Sequence, residues 1–409
     1  MMSRFFLLVC VFCVCSSAQA LSATEPADKT TTGLEKTDIF EAGKGGYALY
    51  RIPGIVATNK GTLLAYCEAR RTGKSDWDAI DILLRRSVDG GQTWDAPRKI
   101  SDVPGTKTKN PVALAQKLGG TNDVTYNNPL AIVDDQGTVH LLFCLEYMRC
   151  FIIQSRDDGL TWSPAREITP AFAGYRPDYA WQVLATGPGH GIQLTSGRLL
   201  VPVWLSLGTG GHAHRPSVVT TIYSDDRGQT WQAGGLAVPH NESIINPSES
   251  AVVQLTDGRV MLNARSESLP NRRVVTTSPD GIGGWSLPEF DSELPEPICM
   301  ASLTRWKAKG TDKQRLLFCN PDNLAKATGE IVPGKGRDRK NVSLRASDDE
   351  GQSWSKAKTI EAGFSGYSDL TVLADGTIIC FYERGSIDGK SITKTGTLTI
   401  ARIAPDWLE

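Results

Sequence analysis

The chain is poor in every feature that would mark a highly charged partner. Its 44 lysines and arginines are balanced by 45 aspartates and glutamates, a net charge of −1. Only Arg337-Asp338-Arg339-Lys340 forms even a short charged stretch. A nucleic acid or an anionic membrane surface is therefore not an expected partner. No cysteine and histidine spacing suits a metal ion, so a zinc site is not expected; no other cofactor is expected. Beyond the first twenty residues no apolar run is long enough to cross a bilayer, and membrane insertion is not expected either.

Those first twenty residues differ from the rest. Arg4 precedes the apolar run Phe5 to Cys15, and Ser16-Ser17-Ala18-Gln19-Ala20 follows. A basic start, a short apolar stretch and an Ala-x-Ala ending are the marks of a cleaved signal peptide. The expectation is an exported protein, secreted or periplasmic, with a linker over 21–37 and a single domain over 38–409, acting as a monomer. Six cysteines then remain. Cys67, Cys144 and Cys380 lie in apolar, strand-like runs and read as buried thiols, while Cys144/Cys150 and Cys299/Cys319 are the pairs compatible with a bridge.

What the sequence has in plenty is repetition. The pattern Ser-x-Asp-x-Gly-x-(Thr/Ser)-Trp occurs at Ser87–Trp94, Ser155–Trp162, Ser224–Trp231 and Ser347–Trp354, with a degenerate copy at Ser278–Trp285. Apolar, β-branched stretches precede each copy and favour strands. Within the pattern the Asp is expected to cap its own backbone, the Gly to turn left-handed and the Trp to bury, which makes it a hairpin with a structural role. Upstream of each, a glycine turn feeds an apolar strand, as in Gly61–Tyr66, Gly137–Leu142, Gly197–Val201, Gly258–Leu262 and Gly376–Cys380; Gln314–Phe318 fills the remaining place. Six such units predict an all-β fold, a six-bladed β-propeller.

The seventh residue after each turn glycine falls near a strand end, at Glu68, Cys144, Trp204, Arg265 and Glu383. A propeller gathers such ends about its axis, so Glu68, Arg70, Arg265 and Glu383 are expected on one face. Buried charges persist when paired or used. A single Arg–Glu pair would read as a brace between blades; this many point to a site.

Tyr50-Arg51-Ile52-Pro53, followed by Cys67-Glu68-Ala69-Arg70-Arg71 and the four repeats, resembles the sialidases, whose Arg-Ile-Pro motif and Asp-boxes these match. The similarity runs from about Asp38 to the C-terminus. It implies a retaining exo-α-sialidase acting on sialylated glycans, with Arg51, Arg265 and Arg339 on the sugar carboxylate. Guanidinium forks suit a carboxylate and stay charged at any working pH. Arg337 and Arg345 compete for the third position, and Arg339 is chosen by its offset from Ser347. The acid/base residue of the family matches Asp76, with Asp78 as second choice and Asp81 read as structural; its role asks for a raised pKa. The nucleophile matches Tyr367 and its activating base Glu249. A neutral phenol avoids the repulsion that a carboxylate would meet at an anomeric carbon already bearing one, but with a pKa near 10 it needs a base. Glu383 resembles the residue that orients Arg51; Arg70 and Glu68 resemble residues that contact the sugar or hold its neighbours. Trp204 falls where relatives place an aromatic wall, with a place in the core as its alternative, and Asn128 in Asn127-Asn128-Pro129 is expected to border the acyl pocket. Two alternatives stay open: an enzyme for another acidic sugar, such as a deaminated sialic acid, and a carbohydrate-binding propeller without catalysis.

Overall fold

The computed structural model describes residues 33–408 apart from 308, 309, 311, 312, 327 and 332–336. The expected signal peptide lies outside the described residues, as does most of the expected linker. The domain begins earlier than the sequence suggests, because Leu34–Glu41 is already a strand, antiparallel to Thr395–Ile403. This pairing ties the start of the described chain to its end.

Strands dominate, and among the described residues the one α-helix, Pro111–Ala115, is five residues long. Continuous hydrogen bonding joins the strands into five sheets, of seven, five, five, four and four strands. The seven-stranded sheet is continuous only through Lys358–Val372, whose first half pairs with Lys340–Ser347 and second half with Ile378–Ser386. The strands Leu49–Ala57, Tyr126–Val133, Val183–Thr186, Ser250–Gln254, Ser302–Lys307 and Lys358–Val372 each come first in a group of antiparallel neighbours. Directly or through Leu199–Ser206 they touch one another in a closed ring. The fold is all-β and propeller-like.

The glycine-fed strands are therefore second in their groups, not innermost. Leu63–Arg70 pairs with Leu49–Ala57 so that Glu68 stands opposite Arg51, and Val260–Ala264 sets Ala264 opposite Ser250. Antiparallel pairing puts the end of each second strand beside the start of the first. Both contribute side chains to one mouth of the ring.

The repeated turns close as the pattern implies. The Ser87, Ser155, Ser224 and Ser347 hydroxyls each accept an amide N–H from the turn glycine at 2.8 Å. The Asp accepts from the Thr or Ser four residues on, as in Thr93 N to Asp89 at 2.9 Å and Thr161 N to Asp157 at 2.8 Å. Of the four tryptophans Trp231 is buried, whereas Trp94, Trp162 and Trp354 are half-buried. All six cysteines described are buried free thiols. Cys144 and Cys150 face each other across neighbouring strands. Cys299 and Cys319 do not pair, because Cys319 Sγ lies 3.8 Å from Cys380 Sγ while Cys299 packs with Ile52, Met300 and Tyr367.

Near the axis, His190 Nδ1 lies 2.7 Å from Asp369, which also accepts from Ile55 N at 2.8 Å and from the Ser302 hydroxyl at 3.0 Å. Burial alone would lower the imidazole pKa, but the Asp369 charge and hydrogen bond outweigh it and raise it. A histidine whose folded pKa exceeds its unfolded value of about 6.5 stabilises fully below that pH and loses the contribution as pH rises through the folded value. Melting temperatures of the protein and of His190→Asn should thus differ most below about pH 6.5 and converge as pH rises through the folded value.

Candidate active site

One cavity of about 240 Å³ opens at the mouth of the ring where these strand ends meet. Nine of the eleven residues singled out from the sequence line it: Arg51, Arg70, Asp76, Asn128, Trp204, Glu249, Arg265, Arg339 and Tyr367. The other two, Glu68 and Glu383, lie wholly buried behind the wall. Glu383 accepts from Arg51 Nε at 2.9 Å, Ile52 N at 3.3 Å and Tyr367 N at 3.2 Å. Glu68 accepts from Arg70 at 2.7 and 3.1 Å and from Asn128 N at 2.9 Å. Each glutamate thus fixes one guanidinium and the backbone of a neighbouring strand, and Glu68 holds its neighbours rather than facing the cavity.

The wall is built at local cost. Ile52, Asn128, Tyr147 and Asn246 have φ between 45° and 56°, a left-handed conformation rare for residues other than glycine. For the β-branched Ile52 it is a true outlier, lying where the pairing of Leu49–Ala57 with Leu63–Arg70 slips between Arg51 and Gly54. Strain of this kind concentrates where the surrounding structure holds side chains for use.

Tyr367 is 4 % exposed at the centre. Its hydroxyl donates to the Glu249 carboxylate at 2.6 and 2.7 Å and accepts from Arg265 Nη1 at 2.8 Å. Arg265 also pairs with Glu249 directly. The guanidiniums of Arg51 and Arg339 lie 5.2 and 5.0 Å from the centre of the ring. Burial, then the Glu249 charge, raise the phenol's pKa further than Arg265, Arg339 and Arg51 lower it. The phenol is therefore protonated and hydrogen-bonded to a carboxylate, with three cations around it.

The rivals for these places lie elsewhere. Arg337 bonds to Asn271, and Arg345 bonds to Asp322 at 3.0 Å. Asp78 turns inward to the Thr72 hydroxyl and to Lys74 N and Ser75 N, at 2.9 and 3.0 Å for the two amides. Asp81 pairs with Lys99 and Arg71. Asp76 reaches into the cavity with 46 % of its side chain exposed, 2.6 Å from Arg70 and 3.9 Å from Arg51. Burial would raise its pKa, but Arg70, Arg51 and His214 outweigh that and hold the carboxyl well below the usual range. This reverses the expected direction, because the acid shares its pocket with two guanidiniums.

The cavity also holds residues that the sequence reading missed, among them Tyr147, His212, His214, Arg215, Asn246 and Glu267. Asn246 and Glu267 flank Glu249 and Arg265 by three and two residues, so strand ends could have suggested them. Two of the chain's five histidines stand in Gly208-Thr209-Gly210-Gly211-His212-Ala213-His214, a signal passed over. His214 has its pKa lowered to about 4 by burial and is neutral at ordinary pH.

With this geometry in view, similarity to known proteins becomes informative. The BNR repeat-like domain family matches residues 61–380. The chain belongs to the BNR-repeat sialidase family. It is 30% identical over 393 residues to a sialidase of Micromonospora viridifaciens, covering 91% of this chain and 55% of that protein. It is 31% identical over 371 residues to a sialidase of Bacteroides fragilis, covering 84% and 62%. The chain thus spans only 55% and 62% of these two sialidases. Among solved structures, the Hadza microbial sialidase Hz136 superposes with a TM-score of 0.70 at 26% identity, over 91% of this chain and 68% of that one. The intramolecular trans-sialidase of Ruminococcus gnavus shares the fold, with a TM-score of 0.68 at 17% identity over 91% and 98%. Among the described residues of this sialidase-family chain, no helix is long and apolar enough to cross a membrane.

Proposed function

We propose that the chain is an exo-α-sialidase, an exported six-bladed propeller that hydrolyses terminal sialic acid from glycoconjugates with retention. The blade count takes the seven-stranded sheet as two units sharing Lys358–Val372, in line with the ring of innermost strands. Arg51, Arg265 and Arg339 grip the sugar carboxylate. Tyr367 attacks the anomeric carbon and passes its proton to Glu249, forming a glycosyl-tyrosine. Asp76 protonates the departing oxygen and then takes a proton from the water that releases the sugar. The substrate readies its own acid: its carboxylate offsets the positive field of Arg51, and the Asp76 pKa rises on binding.

The observation that carries this reading is the Tyr367 hydroxyl held at 2.6 Å by Glu249 within a ring of three guanidiniums. Incubation with a fluorogenic sialoside should release free sialic acid, with the α-anomer appearing first by NMR, and a dehydrated sialic acid analogue should block it. Cleavage of uronic acid glycosides with none of sialosides would overturn the proposal. A first product in which the sugar has been transferred to an acceptor or to its own hydroxyl would replace hydrolysis by transfer.

A further inference from the structure

Resting on that reading, we propose that Trp77 is a positioning residue for Asp76, its indole lodged against Tyr147 and His214 so that the loop 71–79 delivers the acid into the cavity. The loop joins Leu63–Arg70 to Ile80–Ser87 without regular structure, and Arg71, Thr72 and Lys74 on it are exposed. Such a segment ordinarily opens readily.

Its one buried apolar side chain is Trp77. Trp77 adjoins Asp76 and is 3 % exposed; its ring centre lies 4.6 Å from that of Tyr147 and 5.5 Å from that of His214. A buried indole hides roughly 150–250 Å² of surface, far more than any other residue of the loop can. The backbone that follows the ring is hooked twice, with Lys109 Nζ donating to Trp77 O at 2.7 Å and Thr125 Oγ1 to Asp78 O at 2.8 Å. The Asp78 carboxylate also gathers Thr72, Lys74 and Ser75 within the loop, which ties the turn to the same anchor.

The receiving surface is itself held under strain. Glu146 and Tyr147 are consecutive left-handed residues, with φ of 57° and 48°, in the turn that leads into Arg149–Ser155. Neither is a glycine or asparagine, so the turn is maintained against its own preference. It presents the Tyr147 ring to the cavity and to Trp77 at once.

If Trp77 acts through Asp76, its loss should resemble the loss of a general acid. Protonation matters for a basic leaving group such as a sugar alkoxide and little for an acidic nitrophenol. In Trp77→Ala, kcat/KM on a sialyl galactoside should fall about thirtyfold or more, and kcat/KM on a nitrophenyl sialoside less than about threefold, the split that Asp76→Asn should also show. Trp77→Phe should retain most activity on both. Gly119→Ala tests the same anchor from outside the cavity, since a Cβ there would come within 2.0 Å of Trp77 O; it should give the same split and decides the matter if Trp77→Ala does not fold. Equal losses on both substrates, or none on either, would refute the positioning role. An active wild type with equal losses removes this inference alone, whereas a wild type inert on both sialosides removes the sialidase reading and this with it.

Discussion

Tyr367→Phe should lower kcat on a fluorogenic sialoside by about a thousandfold or more while leaving the fold intact. The substitution deletes one oxygen. The ring stays between Arg51 and Arg339, 5.2 and 5.0 Å from their guanidiniums, and its backbone N–H still donates to Glu383. What disappears is the atom that donates to Glu249 and accepts from Arg265. Glu249 and Arg265 remain paired to each other, so no charge is stranded and the loss of stability should be about 1 kcal/mol. A melting temperature close to the wild type together with the collapse in kcat identifies a chemical role. Turnover within tenfold of the wild type would remove the nucleophile from the mechanism, and with it the retained configuration.

The distribution of information along the chain explains which features were legible before the structure. The repeated hairpins could be read because Ser, Asp and Gly at fixed spacing satisfy a local hydrogen-bond pattern that needs no distant partner. The convergence of Glu68, Arg70, Arg265 and Glu383 followed from repeat phase, although the strands bearing them proved second rather than innermost. Tyr367, Glu249 and Asp76 were marked by resemblance, since no local rule separates a phenol that bonds to a glutamate 118 residues away from an ordinary strand aromatic. Tyr147 and His214 went unseen for a related reason. They become neighbours of Trp77 only when the second and third groups of strands pack beside the first. The direction of the Asp76 pKa could not be read either, because it depends on the distances to Arg70 and Arg51. Burial favours the neutral acid and the guanidiniums favour the anion, and only geometry says which is stronger.

Arg51→Ala should damage both folding and catalysis, and the two effects can be separated. Arg51 is 5 % exposed and its partner Glu383 is fully buried. Without the guanidinium, the Glu383 carboxylate retains two long amide donors, from Ile52 and Tyr367. Stranding one member of a buried ion pair costs about 3–5 kcal/mol, which a lowered melting temperature should report. Catalysis should fall as well, by roughly a hundredfold or more in kcat/KM, because the proposed function then loses one of its three forks on the substrate carboxylate. The double variant Arg51→Ala/Glu383→Leu removes the stranded charge and should recover part of the lost stability. It should not recover kcat/KM, since nothing in it restores a cation at the carboxylate. A double variant regaining both would mean that Arg51 serves only to neutralise Glu383. Recovery of stability alone would show that the guanidinium serves two partners, the glutamate behind it and the sugar in front.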